Sequence, residues 1–154
     1  MAFNFLVPEC LIRHSYSEKG KGIKLSQKDD ERVAFFHLDN DAFRTRFRLH
    51  ASKVCDVLIF YRKGSAGPIL MLVELKGSDF DAAADQICST HDALKPELQP
   101  ALKTANWIAL VVASGSCPPS RSKLQKRLNG RGISLLFATG IKGGNVVDAR
   151  KFLE

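Results

Sequence analysis

The sequence predicts a mixed α/β (α+β) fold: a central mixed β-sheet, an antiparallel meander followed by helix–strand–helix–strand, with helices on both faces. Three observations carry this. Apolar runs rich in β-branched and aromatic residues, separated by polar turns, fill the first half of the chain. From residue 79 the apolar period becomes helical. Two further apolar runs then alternate with helical stretches. A chain of 154 residues suffices for one domain and is too short for two ordinary ones, so 1–154 reads as a single unit. With 45% hydrophobic and 25% charged residues, disorder, collagen-like repeats and coiled coil are excluded on composition.

Residues 14–32, polar and interrupted by Gly20 and Gly22, read as loop. Val33 to Leu38 reads as a strand. Phe43 to His50 alternates strictly and is predicted as a half-buried strand, with Arg44, Arg46 and Arg48 on its outer face. Val54 to Tyr61 is an apolar strand interrupted by Asp56, and Lys63 to Pro68 is a turn. Ile69 to Leu75, apolar on both faces, belongs at the centre of the sheet.

Asp79 to Lys95 carries Phe80, Ala84, Ile87 and Leu94 at helical spacing, with His91 in the same stripe. Ser78 is its expected cap, Asp79 and Asp81 favour its first turn, and Pro96 and Pro100 are expected to close it. Trp107 to Ala113 is a buried strand. A basic helix follows from Pro118 to about Asn129, ended by Gly130 and Gly132. Ile133 to Ala138 is the last core strand, Gly143-Gly144 a turn, and Asn145 to Val147 a short edge strand.

The net charge of +7 points to a polyanionic partner. It is unevenly spread. Residues 1–54 hold 10 basic and 7 acidic side chains, residues 55–118 hold 5 and 7, and residues 119–154 hold 8 and 2. A slightly acidic centre thus lies between basic flanks. Cys10, Cys55, Cys88 and Cys117 show no zinc-ligand spacing and read as free thiols of a reducing cytosol. The N-terminus lacks the pattern of a signal peptide, and the longest apolar run is far shorter than a membrane span. A cytoplasmic location without membrane contact is expected.

Asp56, Glu74 and Lys76 demand an explanation, because carboxylates inside apolar strands are costly unless paired or bound to metal. Glu74 and Lys76 lie two apart in a strand and so share a face. Folding the chain about the 62–68 turn sets residue 56 opposite residue 74, so the three converge at one end of a hairpin. Two hard-oxygen carboxylates suit Mg²⁺ or Mn²⁺ together with a substrate phosphate. An adjacent ammonium suits the attacking water or the transition-state charge. The bland alternative is an exposed Glu74–Lys76 pair, with Asp56 satisfied by backbone N–H groups.

Asp56 followed by Val73-Glu74-Leu75-Lys76-Gly77 resembles the PD-(D/E)XK nuclease superfamily, over about Val33 to Ala138. The resemblance implies a restriction-endonuclease-like core. It makes Asp56 and Glu74 metal ligands for Mg²⁺ or Mn²⁺, and Lys76 the group that assists the attacking water. Gln86 matches a helix glutamine found in several branches and joins the catalytic set. Thr90 stands where some branches carry tyrosine, and Cys55 stands where many carry proline. Many members add an N-terminal glutamate, for which Glu9 and Glu31 are both candidates.

The function implied is hydrolysis of phosphodiester bonds, in DNA ahead of RNA, in restriction, repair or defence. A homodimer able to cut both strands remains open. Arg44, Arg46, Arg48, Arg121, Lys123 and Arg127, with Lys126 and Arg131, are either solvated faces or contacts to a phosphate backbone. The alternative function is a catalytically inactive module of the same fold that binds nucleic acid or protein.

Overall fold

A computed structural model describes residues 3–51, 53–76, 79–99, 101–142 and 144–153, and only the backbone of Val7 and Lys76. The chain begins with helix α1 (Val7–Cys10) and strands β1 (Leu11–Ile12), β2 (Ser15–Glu18), β3 (Lys21–Lys24) and β4 (Glu31–His37). Helix α2 (Asp41–Phe47), β5 (Val57–Lys63), β6 (Ile69–Lys76) and α3 (Phe80–Leu98) follow. Then come β7 (Asn106–Ala113), α4 (Arg121–Asn129), β8 (Ile133–Ala138), β9 (Asn145–Asp148) and a 3-10 turn at Ala149–Phe152.

Six strands form a mixed sheet in the order β1-β4-β5-β6-β7-β8. The meander β4–β5–β6 is antiparallel, and β6, β7 and β8 run parallel. The β5–β6 register pairs Val57 with Val73 and Ile59 with Met71, the offset the turn position predicts. Each parallel step needs a crossover, supplied by α3 and α4. Because β7 and β8 are added successively in one direction, crossovers of the same hand put both helices on one face.

This corrects the expectation of helices on both faces. Cys10, Phe43, Ala84, Ile87, Leu124 and Leu128 of the four helices all belong to one core with Leu58, Leu70 and Leu72. The opposite core, built on Val57, Ile59, Met71 and Val73, is closed by a second sheet, β2-β3-β9, through Ile23, Leu25 and Val147. The segment 14–32, expected as loop, therefore holds a hairpin. Its turn residues Lys19 and Gly20 both have positive φ, 51° and 75°, the geometry of a two-residue hairpin turn that matches strand twist. The predicted edge strand near 145 pairs parallel to β3 in this small sheet.

The predicted strand Phe43–His50 is helix α2 instead. Asn40 caps it by accepting from Phe43 N–H at 2.9 Å, and Arg48 ends it in the left-handed conformation at φ 56°. Phe43 and Phe47, two apart in the strand pattern's sense but one turn apart on a helix, meet with ring centroids 4.7 Å apart. No three-arginine face forms, because alternate residues of a helix point in divergent directions.

Helix α3 runs past Pro96 to Leu98, whose buried side chain anchors the last turn, so Pro96 does not close it. Its cap is Asp79, which accepts from Ala82 N–H at 2.9 Å. Ser78, Pro100, Gly143 and Gly77 lie outside the described residues. Cys10, Cys55 and Cys88 are buried free thiols and Cys117 is half-buried. Among the described residues no helix is long and apolar enough to cross a membrane.

One buried ion pair ties the C-terminus to the sheet. Glu31 accepts from Arg150 Nη1 at 2.6 Å, Tyr61 Oη at 2.9 Å and Lys28 N at 2.9 Å. The Arg150 guanidinium holds the Glu31 carboxyl down to about 2 from its ordinary 4.5. That stability is present above 4.5 and is lost as pH falls through about 2. Arg150→Ala, which strands the carboxylate, should lower the melting temperature by several degrees at pH 7. Glu31→Gln should flatten the acid limb of a melting-temperature profile between pH 2 and 5, which circular dichroism melts will show.

Candidate active site

Asp56 immediately precedes β5. Its N–H donates to Val73 O at 3.1 Å, and its Oδ2 accepts from Leu75 N–H at 2.7 Å. These are the peptide groups on either side of Glu74, so the aspartate brackets the glutamate. Asp56 O also accepts from Leu38 N–H at 2.9 Å, at the end of β4. Asp56 and Glu74 are 4% and 2% exposed, which makes them two of the few acidic side chains inside the fold. The alternation of β6 puts Glu74 on the helix-side face with Leu70 and Leu72.

Helix α3 holds the approach to Asp56 by its main chain. Gln86 Nε2 donates to Val54 O at 3.2 Å. Thr90 Oγ1 donates to Gln86 O at 2.7 Å and accepts from Cys55 N–H at 2.9 Å. Gln86 is thus placed against the strand backbone, a positioning contact, and its Oε1 is buried with no hydrogen-bond partner among the described residues. Thr90 supplies the hydroxyl that secures residue 55. Burial, then the charges of Glu74 and Asp56, push the Cys55 thiol up, so it stays protonated.

Two acids that the sequence reading passed over face Asp56. Glu18, at the end of β2, lies with its carboxylate against that of Asp56, and Asp39 adds negative charge nearby. Tyr16 Oη donates to Glu18 Oε2 at 3.4 Å, and its ring stacks on His37 with centroids 4.6 Å apart. Burial, together with the neighbouring carboxylates, raises Asp56 from 3.8 to about 7, although the Leu75 N–H pulls it down. Glu18 escaped notice because 14–32 read as loop. The available signal was the Lys19-Gly20 turn between two short segments of alternating residues.

The other candidates separate from this cluster. Lys76 ends β6, two residues beyond Glu74, and its side chain lies outside what is described. Glu31 is at the opposite end of β4 and is committed to Arg150, so it is no partner for Asp56. Glu9 is exposed on α1, beside a cleft shared with Asp41 and Arg46.

Of the predicted arginines, Arg44 donates to Asp39 Oδ1 at 2.6 Å, the acid whose charge reaches Asp56. Arg46 pairs with Glu97 at 3.7 Å, and Arg48 is an exposed helix end. Arg121 covers the Phe137 ring at 5.5 Å, Lys123 is exposed, and Arg127 is paired with Asp85 of α3. Of the four basic residues of α4, Arg127 is thus answered by an acid of α3.

Among the described residues no group of three or more His, Cys, Asp and Glu side chains is arranged to hold a metal ion. Magnesium, however, is commonly held by one or two carboxylates, with water and phosphate oxygens completing its shell. A buried aspartate crowded by further acids is a donor set that a hard cation relieves.

With its pKa raised, Asp56 lowers stability as pH rises from about 4 to about 7, above which both states are ionised and the loss levels off. In EDTA, Asp56→Asn should be close to neutral at pH 4. Above pH 7 it should be stabilising, by on the order of 1.4 kcal/mol per pKa unit of elevation. Denaturant titrations at the two pH values measure this, and a gain independent of pH would contradict it. Compared with family models, curated proteins and solved structures, the chain matches none of them.

Proposed function

We propose that this chain is a metal-dependent nuclease of the PD-(D/E)XK kind, with a restriction-endonuclease-like core. The observation that carries the reading is the bracketing of Glu74 by the two hydrogen bonds of Asp56, which sets two buried acidic residues opposite each other in the ladder at one end of the β5–β6 hairpin. The order of the meander, α3 and the parallel strand β7 supports it further.

Asp56 and Glu74 would hold Mg²⁺ or Mn²⁺, which supplies Lewis-acid stabilisation of the phosphoryl oxygens and a more acidic water. Lys76, two residues beyond Glu74 at the end of β6, would orient the attacking water and offset developing negative charge. Gln86 and Thr90 keep the Asp56 segment in register rather than touching the reacting atoms. DNA is the proposed substrate ahead of RNA, and Arg44, near Asp39, is the best placed of the basic residues for a backbone phosphate.

The deciding assay uses circular, linear and single-stranded DNA and an RNA, with Mg²⁺ or Mn²⁺. Cleavage of at least one substrate should require the metal and stop in EDTA. Glu74→Ala and Lys76→Ala should each lower kcat by about 100-fold or more while the protein stays folded. Tight binding of nucleic acid without cleavage under every metal would replace this reading with that of a non-catalytic binding module.

A second test separates positioning from chemistry. Thr90→Val removes the hydroxyl that holds Cys55 N–H. It should lower kcat more than it raises KM, while leaving the metal requirement intact.

A further inference from the structure

At the other end of the sheet lies a second concavity, of about 190 Å³. It is formed where the end of α3, the segment after it and the α4–β8 connection meet. Trp107 opposes Leu70 and Ile133 in the sheet, whereas Glu74 opposes Val111. The two sites are therefore four strand residues apart, about 13 Å at ~3.3 Å per residue.

The buried side chains Leu98 and Trp107 form its floor, and Lys95, Lys103 and Arg131 form its walls with Gln99. No acidic side chain among the described residues lines it. Of the three cations around this small cavity, Arg131 is paired with Asp92, whereas Lys95 and Lys103 form no ion pair among the described residues.

Arg131 is also held in place. Its Nε and Nη2 donate to the two oxygens of Asp92 at 2.9 and 3.0 Å. That fork leaves Nη1 without a protein partner among the described residues, on a guanidinium whose orientation is set. Asp92 is steadied in turn by His91 Nδ1 at 3.3 Å, and the buried His91 ring meets Trp107 edge-on with centroids 4.6 Å apart. A preorganised planar donor beside two mobile ammonium groups is a combination suited to a tetrahedral oxyanion. The cavity is smaller than those that enclose a drug-sized ligand, which are roughly 300–1,000 Å³. It suits a phosphoryl group and not a whole base and sugar.

We propose that Lys95, Lys103 and Arg131 form a phosphate-binding pocket, distinct from the Asp56–Glu74 site, that takes a phosphate dianion or a terminal phosphate monoester. The proposal does not rest on the nuclease reading, since the pocket shares no residue with the carboxylate cluster. A terminal phosphate can come from a free small molecule or from the end of a nucleic-acid strand, and the two are separable by experiment.

Trp107 is the only tryptophan in the chain, so its fluorescence reports on this floor alone. Inorganic phosphate is titrated at constant ionic strength, followed by Trp107 fluorescence and by calorimetry. Saturable binding is expected below about 10 mM. The exposed pair Lys95→Gln/Lys103→Gln should weaken it about tenfold or more with an unchanged melting temperature. Arg131→Lys, which keeps the charge and loses the fork, should weaken it as well.

A 5′-phosphorylated oligonucleotide that binds tighter than its 5′-hydroxyl counterpart identifies a strand end as the source. Equal affinity of the two, alongside phosphate binding, identifies a free phosphate. Absence of saturation by both readouts, or equal affinity in the double lysine variant, would overturn the proposal.

Discussion

Leu75 N–H meets Asp56 Oδ2 at 2.7 Å while Asp56 N–H meets Val73 O at 3.1 Å, so a side chain and a main chain together close the β5–β6 ladder around Glu74. A slip of one residue in that ladder would move Glu74 from the helix face to the opposite core and expose Leu72's counterpart positions to the wrong neighbours. The same aspartate accepts Leu38 N–H through its carbonyl, which joins the end of β4 to the hairpin. Residue 56 thus links all three strands of the meander, twice through its main chain and once through its carboxylate. The cost is a carboxyl group removed from water, and its raised pKa expresses that cost.

The remaining layers arrange themselves around this centre. Successive parallel additions of β7 and β8 send α3 and α4 to one face, where Gln86 and Thr90 grip the two residues before Asp56. The other face, left without crossover helices, would expose Ile59, Met71 and Val73. The small sheet β2-β3-β9 covers it through Ile23 and Val147. Covering that face also brings Glu18 to Asp56. Packing and chemistry are therefore linked: the sheet that completes the second core delivers a further acid to the carboxylate cluster.

The basic surplus has a different distribution from the one its linear order suggests. Arg127 and Arg131 answer Asp85 and Asp92 across the α3–α4 contact, and Arg44 answers Asp39. Such half-exposed pairs add little stability, since solvent and salt screen them. They do orient the guanidinium groups. Lys95 and Lys103, which form no ion pair among the described residues, gather with Arg131 at the far end of the sheet from the carboxylates. The molecule therefore separates an acidic end from a basic pocket along the same strands.

The sequence by itself determined the strands of the core and the opposition of Asp56 to Glu74. Long apolar runs have one way to be buried, and a short turn leaves a hairpin one register. Ile69–Lys76, Asn106–Ala113 and Ile133–Ala138 were legible for that reason, as was the long helix between the first two. Tertiary structure decided the rest. In the stretch 41–47, strict alternation lost to the Asn40 cap and to the Phe43–Phe47 contact, since a short pattern fits two periods and only the surrounding core chooses between them. The polar hairpin at 15–24 gained its stability from a parallel partner more than a hundred residues away, at Asn145–Asp148. No local signal carries such a pairing, and Glu18's place beside Asp56 follows from it.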